Sequence, residues 1–287
     1  MAQIIIDKQN GELAFRLERF VDLSQFDHVE RKSYYSLIIL NDSRLKLFVD
    51  FSEHQLDGSH MICLAPYQPY MLTSDTVCSG ILLNFHPDFF CTYRHQNEIE
   101  TEGVLFNNFN QPPYFKIEQI ETFYSLIDQV SKEMGRESIA QHEVLVAYLK
   151  IFLIEAVRQK KQFDQQNFNS SFGYQSEVMQ RLIDLIENRF CEIHAPQDYA
   201  DILSVSSKTL ARITKKYLNQ TLTDLIINRI IVEAKRELYL TSKSVKQVGG
   251  ELGYQDEFYF SRVFKKKVGV SPDVYRRTVG FAKLERE

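Results

Sequence analysis

Short apolar runs separated by turn-forming residues occupy the chain up to about residue 110. Residues 33–40 and 44–51 are two such runs, and the Asn-Asp-Ser cluster at 41–43 between them is typical of a turn. Further runs at 61–65 and 80–85 follow at similar spacing. Several short strands in succession predict an antiparallel sandwich or barrel.

From about residue 116 the apolar positions recur every three or four residues, which predicts amphipathic helices over 116–134 and 138–162. The apolar face of the second helix is broad for a surface helix, so it either packs beneath the strands or forms a dimer seam. Residues 163–175 are polar and aperiodic. They predict a linker between a first domain over 1–162 and a second over 176–287.

The second domain is predicted to be helical throughout. Ser206 or Ser207 and Asp256 are the expected N-caps of two of its helices, and Pro272 opens the last. The remaining pattern predicts helices over 176–190, 197–203, 207–218, 221–240, 244–252 and 257–267. The expected fold class is therefore α+β, with a strand domain followed by an all-α domain.

One helix of the second domain is written twice, 50 positions apart. Residues 210–216 (LARITKK) align with 260–266 (FSRVFKK), and in both an apolar residue precedes an Arg by two positions and a Lys pair by five and six. Each copy follows a short amphipathic segment and a turn, as the DNA-reading helix of a helix-turn-helix does. The long predicted helix between the copies would hold both in register with successive major grooves, about 34 Å apart.

Burial of the apolar side of each copy would turn its polar side outward. The sides expected to be buried hold Leu210, Ile213 and Tyr217 in the first copy and Phe260, Val263 and Phe264 in the second. Arg can bind guanine O6 and N7 with two parallel hydrogen bonds, and small or apolar side chains can contact thymine methyl groups. Seven residues on these outward sides are Lys208, Ala211, Arg212, Glu257, Phe258, Ser261 and Arg262. Those predicted to bind phosphates are Lys215, Lys216, Lys265, Lys266 and Lys267.

Charge supports this interpretation locally. The chain has 287 residues, enough for about two domains, and its net charge is −4. Residues 203–283, however, hold 16 Lys and Arg against 7 Asp and Glu. That excess suits a phosphate backbone, although solvated helix faces would produce the same composition.

The segment 245–277 resembles the DNA-binding region of the AraC/XylS family of transcriptional regulators. The likeness covers about 176–280 and is carried by Leu252-Gly253-Tyr254, Phe260-Ser261-Arg262, Phe264-Lys265, Gly269, Ser271-Pro272 and Tyr275-Arg276. The resemblance implies two helix-turn-helix units joined by a long helix, duplex DNA as partner, RNA polymerase as a further partner of an activator, and base contacts at the seven positions named above. The chain departs from the family pattern at Gly249, Thr214 and Asn219, where Ala, Phe and Gly are usual.

Residues 64–70 and 80–90 resemble, more weakly, the cupin-like sensor barrel attached to such domains. That resemblance implies a small-molecule effector, whose binding residues the sequence does not identify, and a homodimer formed through the helices that follow. Because interiors rich in Phe and Tyr can be packed core, a first domain that only dimerises or binds a protein partner remains the alternative.

An enzyme is not expected. The seven His residues include no His-x-His pair of the kind that holds a metal in catalytic cupins, and no phosphate loop or nucleophile motif is present. No cofactor or metal is therefore predicted. The four Cys are scattered without ligand spacing, and neither a signal peptide nor a membrane span is indicated, which favours reduced thiols in a cytoplasmic protein.

Overall fold

A computed structural model describes residues 2–7, 11–50, 52–92, 95–136, 139–169 and 174–279. The chain divides into two compact units. The N-terminal unit runs to Asp164 without residues 108–112, and the C-terminal unit comprises those five residues and the chain from Gln165 onward.

An antiparallel sheet forms the N-terminal unit, which confirms the prediction of a strand domain. In the described residues its strands are β1 (Ala2–Ile6), β2 (Leu13–Phe20), β3 (Tyr35–Val49), β4 (Ser52–Leu64), β5 (Tyr70–Thr73), β6 (Gly80–Phe85) and β7 (Tyr114–Lys116). Their order is β1-β2-β6-β3-β4-β7, and β5 pairs with the second half of β3. A 3₁₀ turn (Ser24–Phe26) and a short helix, α1 (Gln96–Ile99), lie in the connections.

Strand β3 corrects one prediction. The turn expected at 41–43 is wrong, because β3 continues through it as a 15-residue strand. Its register with β4 shifts between Leu40 and Ser43, so the polar residues form a bulge. The backbone N–H of Asn41 donates to the Ser79 carbonyl, and that of Asp42 donates to the Ser59 hydroxyl. Neighbouring segments therefore form hydrogen bonds with the backbone N–H groups that a turn would have paired.

Both faces of the sheet are buried in its centre, so residues 35–40 of β3, 60–64 of β4 and 80–85 of β6 are buried without alternation. Leu37 and Ile39 of β3 belong to a core shared with the helices α2 (Ile120–Met134) and α3 (Gln141–Asn169), whereas Ile38 and Leu40 belong to a second core on the opposite face. The side chains of α3 in the first core are Leu145, Leu149, Phe152, Leu153, Ala156 and Val157. Much of the broad apolar face of α3 thus packs on the sheet.

Helix α3 is longer than predicted. It runs to Asn169, so the first seven positions of the predicted linker over 163–175 are helical. Gln is a good helix former, and Lys160 forms an ion pair with Asp164 one turn later, at 2.7 Å. The polar composition of these seven positions predicted a linker, but they form the end of α3. Residues 170–173 lie outside the described residues, and the next helix begins at Tyr174.

In the described part of the C-terminal unit all the elements are helices: α4 (Tyr174–Arg189), α5 (Pro196–Ile202), α6 (Ser207–Leu218), α7 (Leu222–Leu240), α8 (Val245–Glu251), α9 (Glu257–Val268) and α10 (Pro272–Val279). The predicted caps are confirmed: Ser206 Oγ accepts from the Thr209 N–H, and Asp256 Oδ1 accepts from the N–H groups of Phe258 and Tyr259. Helix α7 contacts α4, α6, α8, α9 and α10, and thereby forms the centre of this unit.

Candidate nucleic-acid interface

Helix α6 presents its cations on the side away from the core. Leu210, Ile213 and Thr214 are buried, while Tyr217, which was expected to join them, is half-buried. All the residues of this helix that were predicted to meet DNA are exposed, namely Lys208, Ala211, Arg212, Lys215 and Lys216. The structure brings them together on one surface, which we call the α6 face.

Helix α9 has the same arrangement. Phe260, Phe264 and Val268 are buried, and Val263 is only half-buried rather than part of the core. The predicted DNA residues that are exposed are Phe258, Arg262, Lys265 and Lys266, whereas Glu257, Ser261 and Lys267 are half-buried. These seven residues form the α9 face. The two faces are equivalent surfaces on equivalent helices.

Lys267 has a partner within the protein. Its ammonium lies 2.7 Å from Asp224 Oδ1, near the start of α7, and its side chain is 15% exposed. Burial acts to raise the pKa of Asp224, but hydrogen bonds from Lys267 and Thr221 outweigh it and hold that pKa below its usual value. This ion pair joins α9 to α7, so a phosphate that bound Lys267 would compete with a carboxylate.

An exposed aromatic residue supports Arg262. Tyr259 is 53% exposed, and the Arg262 guanidinium lies 5.9 Å from the centre of its ring. The Tyr259 ring is in turn 5.9 Å from that of Tyr254. Sequence reasoning did not single out Tyr259, although its position three residues before Arg262 places the two side chains on the same side of a helix.

The turn before α9 lies against the segment that leads into α5. Gly253 has φ +85°, and a Cβ at this position would lie 2.2 Å from the Cys191 carbonyl oxygen. His194 Nε2 is 3.0 Å from the Leu252 carbonyl oxygen, and its ring packs 4.9 Å from that of Tyr254. Within the C-terminal unit, the turn of the second helix-turn-helix is thereby fixed to the segment that precedes the first helix-turn-helix.

Comparison with known proteins agrees with this geometry. A family model described as a helix-turn-helix domain matches residues 199–278, from α5 into α10.

The C-terminal unit carries an AraC-type helix-turn-helix domain.

The raffinose operon transcriptional regulatory protein RafR of Pediococcus pentosaceus is 31% identical over 83 residues, which cover 29% of this chain and 30% of that protein. The transcriptional activator RhaS of Escherichia fergusonii is 22% identical over 236 residues, or 73% of this chain and 79% of that one. Among solved structures, ToxT from Vibrio cholerae is 16% identical and aligns with 93% of this chain and 99% of that one, with a TM-score of 0.41.

The three departures from the family pattern are accommodated in the AraC-type domain. At Gly249 a Cβ would lie 3.0 Å from a ring carbon of Phe260, so the missing methyl group makes room for that ring. The Thr214 hydroxyl is buried but donates to the Ala211 carbonyl at 3.1 Å. Asn219 ends α6 with φ +54°, a conformation that Asn tolerates better than most residues.

Other chemistry is not indicated in the described parts of the chain. No group of three His, Cys, Asp or Glu side chains there could hold a metal ion. Burial raises the pKa of the Cys63 thiol to about 12 and also raises that of Cys191, so neither is an activated thiolate. Among the same residues, no helix has both the length and the apolar character needed to cross a membrane.

Proposed function

We propose that this chain is a transcriptional regulator that binds specific duplex DNA through both units of its AraC-type domain. The observation that carries the proposal is the repetition of one cationic face on α6 and α9, with Arg212 and Arg262 at equivalent positions. The relatives RafR and RhaS, described as a transcriptional regulatory protein and a transcriptional activator, support the same function.

The two Arg side chains are proposed to read guanine and the Lys side chains to bind phosphates. The Arg262 guanidinium lies 5.9 Å from the centre of the Tyr259 ring, which attracts it and favours this position. Because α6 and α9 both pack against α7, their separation is set by the protein. Two major-groove segments about one helical turn apart would then be bound by one molecule.

We further propose that the N-terminal unit is a cupin-like barrel that controls DNA binding and forms a homodimer. Its helices α2 and α3 border a groove of about 690 Å³. Leu126, Ile151 and Ile154 supply the apolar surface, and Ile151 is 50% exposed. Glu121, Glu155 and Arg158 also line the groove, and Arg158 lies 3.9 Å from Glu155 on the same helix.

The same groove also supports an alternative function for the N-terminal unit. An N-terminal unit that only dimerises or binds a protein partner would need this surface and no internal ligand site. No reaction is proposed, because a cupin-type enzyme would require a metal-binding set that the sequence does not supply.

Selection of bound fragments from a genomic library at low salt tests DNA binding by the full-length protein. We expect enrichment of a motif with two parts about 10 base pairs apart, and affinity that falls steeply with added salt as counterions are released. The R212A/R262A double variant should lose the enrichment, whereas R181A, which removes an exposed cation from α4, should retain it. A wild-type protein that enriches no fragment would refute the proposal.

The dimer is tested by gel filtration with light scattering, which measures the mass of the eluted protein. Leu149 and Phe152 are fully buried, so charging them would disturb the core, but Ile151 is exposed. We expect I151E to be monomeric where the wild type is dimeric, and V21E, at a site that is 73% exposed, to behave as wild type. Equal masses for all three proteins would place the interface elsewhere or exclude it.

A further inference from the structure

The last turn of α9 is tied to the first turn of α7 by the ion pair of Lys267 with Asp224. The Lys267 ammonium lies 2.7 Å from Asp224 Oδ1, and the Thr221 hydroxyl donates to Asp224 Oδ2 at 2.6 Å. The same hydroxyl accepts from the Asp224 N–H as the N-cap of α7. The carboxylate is therefore oriented by its own helix, and Lys267 meets an acceptor that is already in place.

Asp224 also lies close to the end of α6. That helix ends at Leu218, and only residues 219–221 separate it from α7. The Asn228 side chain of α7 donates to Gln220 Oε1 at 3.1 Å, which holds this connection against α7. The ion pair therefore joins the C-terminal end of α9 to the C-terminal end of α6 through a three-residue connection and about one turn of helix.

The sequence repeat gives Lys267 no counterpart in α6. Residues 265–266 match 215–216, and all four of these lysines are exposed. The residue 50 positions before Lys267 is Tyr217, which is half-buried. If phosphate binding is the task that the repeat preserves, the two Lys pairs are sufficient for it. Lys267 then has a task that belongs to the second copy alone.

The surroundings of Lys267 favour the carboxylate over a phosphate. Lys267 lies in the last turn of α9 and Asp224 in the first turn of α7, so each helix dipole stabilises the charge at its end. The Lys267 side chain is 15% exposed, which limits screening of the pair by salt. A phosphate that took Lys267 would leave the Asp224 carboxylate beside a second anion, and the repulsion between them opposes that exchange.

We propose that Lys267 and Asp224 are positioning residues that set the distance between the α6 and α9 faces, and thereby the operator spacing that the protein accepts. Helices that touch only through packed side chains can slide past one another by small amounts, and a charged hydrogen bond at the end of α9 opposes that movement. One base pair changes the separation of two operator parts by about 3.4 Å and their relative rotation by roughly 35°. This inference rests on the proposed function.

Binding of the full-length protein to three operators tests the inference. The operators have the selected spacing or a spacing one base pair shorter or longer, and fluorescence anisotropy gives their dissociation constants over a range of salt. The wild type should prefer the selected spacing by about tenfold or more. D224N and K267M should each weaken binding to that spacing about threefold to tenfold and change the other two little, so the preference falls. The double variant should be no weaker than either single variant, and K267R, which retains a cation, should restore the preference.

K266A is the matched control, because Lys266 is exposed and adjacent to Lys267. It should weaken binding to all three operators equally and reduce the slope of log K against log salt by about 0.9, the value for one phosphate contact. D224N and K267M should leave that slope nearly unchanged. A merely structural role for the pair would alter neither the spacing preference nor the slope.

Two results would overturn the inference. Tighter binding by D224N, with a slope reduced by about 0.9 in K267M, would make Lys267 a phosphate contact. Binding by D224N and K267M with the spacing preference of the wild type would also refute it, and would leave the proposed function intact. A wild type that binds none of the operators would refute both. If K267M does not fold, D224N still decides, because the Asp224 side chain is 45% exposed and Asn keeps its size.

Discussion

The turn before α9 offers the sharpest test of how the two helix-turn-helix units are held together, through the substitution G253A. An Ala at φ +85° costs about 1–2 kcal/mol in backbone strain. Its Cβ would also lie 2.2 Å from the Cys191 carbonyl oxygen, a backbone atom that cannot rotate away, and such overpacking costs about 1–3 kcal/mol more. The free energy of unfolding of the C-terminal unit should therefore fall by about 2–5 kcal/mol.

Gly250 provides a matched control three positions earlier. It lies in α8, and a Cβ there would meet no heavy atom within 4 Å. G250A should therefore stabilise the unit by about 0.5–1 kcal/mol through the better helix propensity of Ala. The same chemical change is thus expected to have opposite signs at two nearby positions.

Urea unfolding of the full-length protein measures both effects. The chain has no Trp, so the helical circular dichroism signal is the readout. The midpoint for G253A should fall by on the order of 1 M, and that for G250A should rise slightly. Shifts of equal sign and size would refute the argument, since they would show that the contact with Cys191 does not constrain the turn.

Further predictions concern the α6 and α9 faces and the N-cap of α9. R212A and R262A should each lose about 1–3 kcal/mol of operator binding and relax one base preference, while K265A should weaken all sequences equally and flatten the salt dependence; identical profiles for the Arg and Lys variants would contradict this. Y259L should reduce discrimination at the base that Arg262 reads, and Y259F should restore it, as measured by competition with single-base operator variants. D256A should destabilise the C-terminal unit by about 0.5–2 kcal/mol in thermal unfolding, and D256N should recover most of that loss.

The C-terminal unit could be predicted closely because its signals are local. Ser206 and Asp256 each bond to backbone groups two or three positions away, and the burial of Leu210 and Phe260 follows from helical spacing alone. Exposure of the predicted Arg and Lys residues is a consequence of that spacing. What these residues bind stays a prediction.

The features that sequence reasoning missed depend on residues far apart in the chain. The pairing of Lys267 with Asp224 joins residues 43 positions apart, and the meeting of Arg16 with Asn84 depends on the register of β2 with β6. Continuation of β3 through Asn41 likewise requires the Ser79 carbonyl as an acceptor. Periodicity gives the face on which a side chain lies, but not the neighbour that it meets across the fold.

The two helix-turn-helix units repeat in their helix faces but differ in their turns. Their N-caps are 50 positions apart, whereas the left-handed turn residues Ser204 and Gly253 are 49 apart, so the second turn is one residue longer. The helix faces repeat, as the proposed binding of both to a duplex groove requires. The turns differ because only the second must approach the Cys191 carbonyl so closely that a side chain is excluded. The glycine in the second turn is therefore explained by its contact with the segment that leads into α5.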